Sequence, residues 1–262
     1  MYRRRIIAFL LCLLILLSLS ACGGKTGGFR YTSVGLDART LSVGCREGDP
    51  LLDVLYAAVK VRVADGTAAQ LSQKWFGKNL IDMEGNADAL VGMDIQEDRT
   101  LLVGYEPSSM PFAGTDGAEK PQGFEIELAR SVCDLLGWEL RALPIRSTEI
   151  AIELLSGEVD CVWGGIEQES AAGVNGFGYM QTEYVLVTTQ QSHVKNVKTL
   201  KDKAVSYPQF AQNAADALEL TEKAGTAAKL LDTEACFTAL KAGRCDAVLT
   251  DDVSAAYYTN IQ

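Results

Sequence analysis

LLSGEVDCV, residues 154–162, and LKAGRCDAV, residues 240–248, are two copies of one device set 86 positions apart. In each, an apolar helical turn is stopped by a glycine (Gly157, Gly243), and an Asp (Asp160, Asp246) then opens a short apolar run. Glycine ends helices because it takes the left-handed conformation without a Cβ penalty. A short apolar run bounded by turn residues reads as a buried strand. Two helix-to-strand units this far apart fit two similar lobes better than one sheet.

Working outward, the same alternation continues. Before the first copy, a strand over Leu101–Tyr105 leads through a Pro/Gly loop, 107–123, to a helix. Phe124, Leu128, Val132, Leu135 and Leu136 share one face of that helix, which stops at Gly137. A strand over Glu139–Pro144 and a helix over Thr148–Leu155 follow. After the first copy come strands over Tyr184–Thr188 and Ala204–Tyr207 and a helix from about Asn213 to Lys223. The second copy closes with a strand over Asp246–Thr250 and a helix to Tyr258. Upstream, Phe29–Leu36 and Leu41–Cys45 read as strands, Pro50 opens a helix to about Val63, and a shorter one ends at Gly77. Strands separated by helices predict an α/β fold of two lobes, each a mostly parallel sheet flanked by helices.

The first residues give the address. Arg3–Arg5 precede an apolar run over Ile6–Leu17, short of the ~20 residues that span a bilayer but suited to a secretory signal. The run ends in Leu19-Ser20-Ala21-Cys22, which looks like a lipobox, so Cys22 is the expected lipidation site and 1–21 the signal peptide; the alternative is an ordinary signal in which Cys22 is incidental. Residues 22–28 then form a tether. Those 21 residues carry three Arg and no acid, so the net charge of −10 becomes −13 without them. Such an acidic surface argues against nucleic acid or anionic lipid as partner. Of seven Cys, none has metal-ligand spacing; burial as small hydrophobes is the plain reading, with Cys236 and Cys245 the pair to test for a disulfide. No cofactor motif is present, and the Gly173–Gly178 stretch lacks the Lys and Ser/Thr of a phosphate loop.

In open α/β sheets, ligands lie beyond the carboxyl ends of the strands. Those ends are Glu106–Phe112, Gly164-Gly165-Ile166-Glu167, Tyr207-Pro208-Gln209 and Asp251-Asp252, with a helix start near Gln212. Paired glycines bare backbone donors and acceptors, and a helix start adds free N–H groups. Phe112, Trp163, Gly164, Gly165, Glu167, Gln209, Gln212 and Asp251 are the candidate ligand-binding residues. Three of them also have an ordinary reading: Phe112 as a packed loop anchor, Trp163 as core, Glu167 as a solvated rim charge.

At these residues the chain resembles a known family. Val103-Gly104-Tyr105, Met110-Pro111-Phe112, the run Gly123–Ala129, Leu155–Asp160 with Trp163-Gly164-Gly165, Thr199–Lys203 and Gly243–Asp251 are together similar to bacterial extracellular solute-binding proteins, family 3. The resemblance implies a type II periplasmic binding protein, a monomer that serves an ABC permease, most often for amino acids. It also implies an aromatic stack on the ligand at Phe112 and an amine on Asp251. Two departures stand out. Family members carry an Arg soon after the Gly-Gly strand as a carboxylate clamp, but here the run is Glu167–Gly173 without one. The expected ligand is therefore an amine whose carboxylate, if any, is not held in the usual way, with Glu167 a second acidic contact. Secondly, features that usually end such chains come first: Val43–Pro50, Asp65-Gly66-Thr67 and Lys74-Trp75-Phe76-Gly77. A circular permutation is expected, with 78–98 bridging the ancestral ends; a truncated protein behind an unrelated segment is the alternative. Lobe 2 then comprises 29–40 and 190–262, and lobe 1 comprises 41–77 and 99–189 with hinge strands near Leu41–Cys45 and Tyr184–Thr188. Hinge closure around the solute is the expected mechanism. A dehydratase-like enzyme on the same fold, and a ligand-presenting subunit of a sensor, are the competing functions.

Overall fold

The computed structural model describes residues 28–164 and 172–260. From the N-terminal side the elements are β1 (Phe29–Ser33), β2 (Arg39–Arg46), α1 (Leu51–Ala64), α2 (Thr67–Phe76), β3 (Thr100–Tyr105) and three short strands, β4 (Ser108–Ser109), β5 (Ala113–Thr115) and β6 (Pro121–Gln122). Then come α3 (Phe124–Leu136), β7 (Glu139–Pro144), α4 (Ile150–Ser156), β8 (Cys161–Trp163), β9 (Val174–Thr182) and β10 (Tyr184–Thr189). β11 (Ala204–Pro208), α5 (Gln212–Ala217), α6 (Leu220–Lys223), β12 (Thr226–Leu230), α7 (Thr233–Lys241), β13 (Ala247–Asp251) and α8 (Asp252–Asn260) complete the described chain.

Two five-stranded sheets carry the two lobes. The first has the order β7-β3-β8-β2-β9 and the second β1-β10-β13-β11-β12. Each repeat device sits where the sequence places it: α4 delivers β8 to the middle of the first sheet, and α7 delivers β13 to the middle of the second. Both helix-ending glycines are left-handed, Gly157 at φ 83° and Gly243 at φ 67°. In each sheet two of the four pairings are parallel, and the remainder are antiparallel. The antiparallel half comes from the strands next to the crossings between sheets. The chain passes from the second sheet to the first over residues 34–38, between β1 and β2, and returns at Glu183, the single residue between β9 and β10. Because β10 pairs with β1 and β13, it lies with the second sheet, and the lobe boundary falls at Glu183 instead of after 189.

Apolar faces meet where the helical spacing predicts. α1, α2 and α3 cover one face of the first sheet through Leu55, Ala58, Phe124, Leu128 and Val132, while Ile150 and Leu154 of α4 cover the other. The second sheet is also packed on both faces, by Ala214 and Leu220 on one and Phe237 and Leu240 on the other. Full burial of such a side chain stabilises by about 1.5–3 kcal/mol. The 78–98 segment is irregular yet docked: Leu80, Ile81, Met83, Leu90 and Ile95 pack on the first core, and Trp138 Nε1 donates to the Gln96 carbonyl at 2.7 Å.

Three elements escaped the sequence reading. β9 contains Gly176, where a Cβ would stand 2.6 Å from the Val43 carbonyl oxygen, so the glycine that blurs the strand pattern is what lets β2 and β9 meet. β12, TAAKL, has a single β-branched residue to announce it. The loop over 107–123 holds the three-stranded sheet β4-β5-β6. The helix expected from Asn213 to Lys223 is broken in two at Glu219, which is left-handed at φ 54°. All five cysteines among the described residues are free, Cys236 and Cys245 included.

Candidate functional site

The tips of β3, β11 and the turn after β7 converge on the start of β2 and enclose a cavity of about 280 Å³ between the two sheets. From the first sheet's side it is lined by Arg39, Glu106, Ser108, Arg146 and Thr148, and from the second's by Pro208, Gln209, Phe210 and Asp232. Ligand pockets are of order 300 Å³ and upward, with a few convergent polar groups. A larger cavity of about 590 Å³ lies on the flank of the second sheet between β11, β12 and α7. That one is walled by a single sheet and its helix; a cavity of about 300 Å³ also meets both lobes, but between the β5–β6 loop and α7–α8, away from the strand tips, so the cavity at the strand tips is the candidate site.

Arg39 is its central residue, 6% exposed. Its guanidinium carbon lies 4.2 Å from the centroid of the Phe210 ring and 5.9 Å from that of Phe112, so one ring from each lobe faces it. Its Nη1 stands 3.8 Å from Asp251 Oδ2, an ion pair too long for a hydrogen bond. Asp251 ends β13 and caps α8: Oδ1 accepts from the Ser254 N–H at 2.8 Å, while Oδ2 accepts nothing among the described residues. Burial pushes the Asp251 carboxyl above its ordinary value, against the pull of Arg39 and the Ser254 bond.

A second buried acid stands behind the first sheet's tips. Glu125, in the first turn of α3, is 2% exposed and accepts from Tyr179 Oη at 2.9 Å. Burial pushes it up to about 8, with Tyr179 and Arg39 opposing the rise. Its carboxyl rests on Gly164, where a Cβ would fall 1.7 Å from Oε1 and where φ is +67°. Any other residue at 164 collides twice, with its own backbone preference and with the acid. Across the crossing point, Lys78 Nζ meets Asp252 Oδ2 at 3.2 Å, and Asp252 Oδ1 accepts from the Glu183 N–H at 3.1 Å.

Of the residues singled out in the sequence, Gln209 lines the cavity, and Asp251 and Phe112 reach it through Arg39. Phe112 is otherwise core, its ring 5.6 Å from that of Phe76. Trp163 is fully buried in the first core, with Nε1 unbonded among the described residues, and does not wall the cavity. Gln212 bonds Asp216 on its own helix at 2.8 Å. Gly165, Glu167 and Cys22 lie outside the described residues. Missed entirely were Arg39, Phe210, Arg146 and Asp232, while Glu106 was read only as the start of a ligand-facing strand end. The run after Gly164 that lacks the usual clamp Arg lies outside the described residues, and Arg39 stands at the cavity from another part of the chain. Asp232 alone carried a signal, as an Asp directly ahead of a helix; its Oδ1 caps Ala235 N–H at 2.7 Å.

Residues 101–234, just over half of the chain, match the model of the bacterial extracellular solute-binding proteins, family 3. The chain belongs to this family. Among solved structures it is similar to an ancestral arginine-binding protein bound to glutamine, at 28% identity and a TM-score of 0.52, covering 62% of this chain and 74% of that one. It is also similar to the substrate-binding protein of an ABC uptake transporter from Streptococcus pneumoniae with bound histidine, at 26% identity and a TM-score of 0.53, covering 61% and 68%. An ancestral amino-acid-binding protein described as a precursor of cyclohexadienyl dehydratase, at 24% identity and a TM-score of 0.53 over 62% and 74%, shares the fold. No match is found among curated proteins. Solute-binding members of the family work outside the cytoplasm, and among the described residues no helix is long and apolar enough to cross a membrane.

Proposed function

We propose that this family member is a lipid-anchored receptor that captures an amino acid or related small amine between its two sheets and delivers it to an ABC permease. The observation that carries the reading is the inter-sheet cavity. Its walls come from both lobes, and its size suits one small polar molecule. Arg39 in its lining and the fully buried Asp251 carboxylate behind Arg39 have hydrogen-bonding capacity unused among the described residues. Two similar structures above 25% identity hold glutamine and histidine, which favours an amino acid. Anchoring through Cys22 rests on the lipobox alone. No observation favours a dehydratase-like enzyme or a sensor subunit over this reading.

The permuted chain order belongs to the same proposal. It is supported by β2 and α1–α2, which precede the matched region in sequence yet take an interior place in the first sheet, between β8 and β9, and cover its face. The docked 78–98 segment joins α2 to β3 along that same lobe, as a bridge between former ends would.

The test is a thermal-shift and calorimetric screen of amino acids and small amines, followed by small-angle scattering. A ligand that raises Tm should also shrink the radius of gyration as the sheets close on it. Tight binding without compaction overturns the closure mechanism, and stabilisation by no member of the panel overturns the ligand class.

A further inference from the structure

We infer that Arg39 is the residue that holds a solute carboxylate, so that the site selects zwitterionic α-amino acids over amines. The inference rests on the reading of the inter-sheet cavity as the solute site and narrows it. A guanidinium has five N–H donors arranged around its rim, and none of those of Arg39 makes a hydrogen bond among the described residues. Burying such a group without hydrogen bonds is costly, by several kcal/mol in an apolar setting. Its contacts with the Phe210 and Phe112 rings, 4.2 and 5.9 Å from the guanidinium carbon to the centroids, give those N–H groups no hydrogen-bond acceptor of the usual kind. Arg39 lines the 280 Å³ cavity.

The neighbouring acid supplies the other half. Asp251 Oδ2, buried and accepting no hydrogen bond among the described residues, is 3.8 Å from Arg39 Nη1. A guanidinium edge beside a free carboxylate oxygen matches the adjacent carboxylate and ammonium of an α-amino acid, charge for charge. The other charged residues of the cavity have partners already. Arg146 pairs with Glu149 at 3.2 Å and is mostly exposed, Asp232 caps α7, and Glu106 accepts from Ser108. Planar two-point recognition of a carboxylate is a property of arginine that lysine does not reproduce.

The experiment is calorimetry on the full protein with matched pairs, histidine against histamine and arginine against agmatine, on wild type and the variants Arg39→Met, Arg39→Lys and Asp251→Asn. The expected result is that an amino acid binds wild type at least 30-fold tighter than its decarboxylated partner. Arg39→Met should lose at least 30-fold in amino-acid affinity, as expected when one partner of a buried charged pair is removed, and Arg39→Lys should not restore it. Circular dichroism and melting of Arg39→Lys check that the fold is kept. Unchanged amino-acid affinity in Arg39→Met, or equal affinity of wild type for both members of a pair, overturns the assignment while leaving solute capture intact. Amine binding that appears only in Arg39→Met also overturns it, by making Arg39 a built-in occupant of the amine position. If wild type binds no member of either series, the reading of the site falls and the assignment with it.

Discussion

The two repeat devices, one in each sheet, are built alike and end differently. In both, the Asp after the helix-ending glycine clasps the first residues of the neighbouring parallel strand. Asp160 N–H donates to the Leu102 carbonyl at 2.8 Å and its Oδ2 accepts from the Leu102 N–H at 2.9 Å. Asp246 makes the same two bonds to Ala204, at 2.7 and 2.9 Å. A basic residue backs each acid, Arg99 at 3.2 Å and Lys203 at 3.7 Å. At the far ends of the strands the likeness stops. β8 leads to a glycine pressed against a buried acid, and β13 ends in a buried acid itself. The scaffold is repeated, and the chemistry is set separately at each tip.

The comparison breaks most sharply at the glycines. Gly164→Ala puts a Cβ into the Glu125 carboxyl at a left-handed position, and a loss above about 3 kcal/mol is expected from strain and displaced packing together. Gly243→Ala meets nothing within 4 Å, so its φ of +67° should cost only about 1–2 kcal/mol. Urea denaturation of both variants checks the ranking, and equal losses would remove the special place of Gly164.

The second contrast is in pH dependence. Glu125 has a folded-state pKa of about 8, above its ordinary 4.5. Between those values the native state holds a proton that the unfolded chain releases, so stability is fully present below about 4.5 and is lost as pH rises towards 8. The total is on the order of several kcal/mol. Glu125→Gln keeps an acceptor for Tyr179 and should flatten the decline between pH 5 and pH 8. Asp251, also raised, bends the curve the same way. A wild-type stability that rises over this window contradicts the assignment of a neutral Glu125.

The smallest effect separates the two clasps. Asp160 is 19% exposed and Asp246 41%. Asp160→Ala should cost about 1–3 kcal/mol, because the Leu102 N–H is left with little access to water. Asp246→Ala should cost nearer 1 kcal/mol, since solvent reaches its place. Melting curves of the pair measure the difference, and a larger loss in Asp246→Ala reverses the expected order.

Much of the scaffold was legible because it is local. Glycine stops, apolar runs and the Asp that follows each stop are written within nine residues, and their repetition implied two lobes. Asp251 was legible for the same reason, as the end of such a run. The site as a whole was not. Arg39 and Phe210 are 171 positions apart and meet only because the chain crosses between sheets twice. Neither lies in a pattern that sets it apart from an ordinary surface Arg or loop Phe. Trp163 shows the opposite failure: a large aromatic beside two glycines suggests a ligand wall, but it is fully buried in the first sheet's core cluster, with Val43, Phe124 and Tyr179. Gln212 was misplaced because a helix start supplies a partner four residues on, and Asp216 takes the amide before any solute does.

The two straps joining the sheets differ in length, five residues at 34–38 against Glu183 alone. In the proposed opening of the two halves, the single-residue strap would act as the pivot and the longer one as slack. Arg39, at the inner end of the slack, travels with one plate, while Phe210 and Asp251 travel with the other. Such an opening would peel the guanidinium off both the Phe210 ring and its acid, and the latch would re-form only when the jaws meet again.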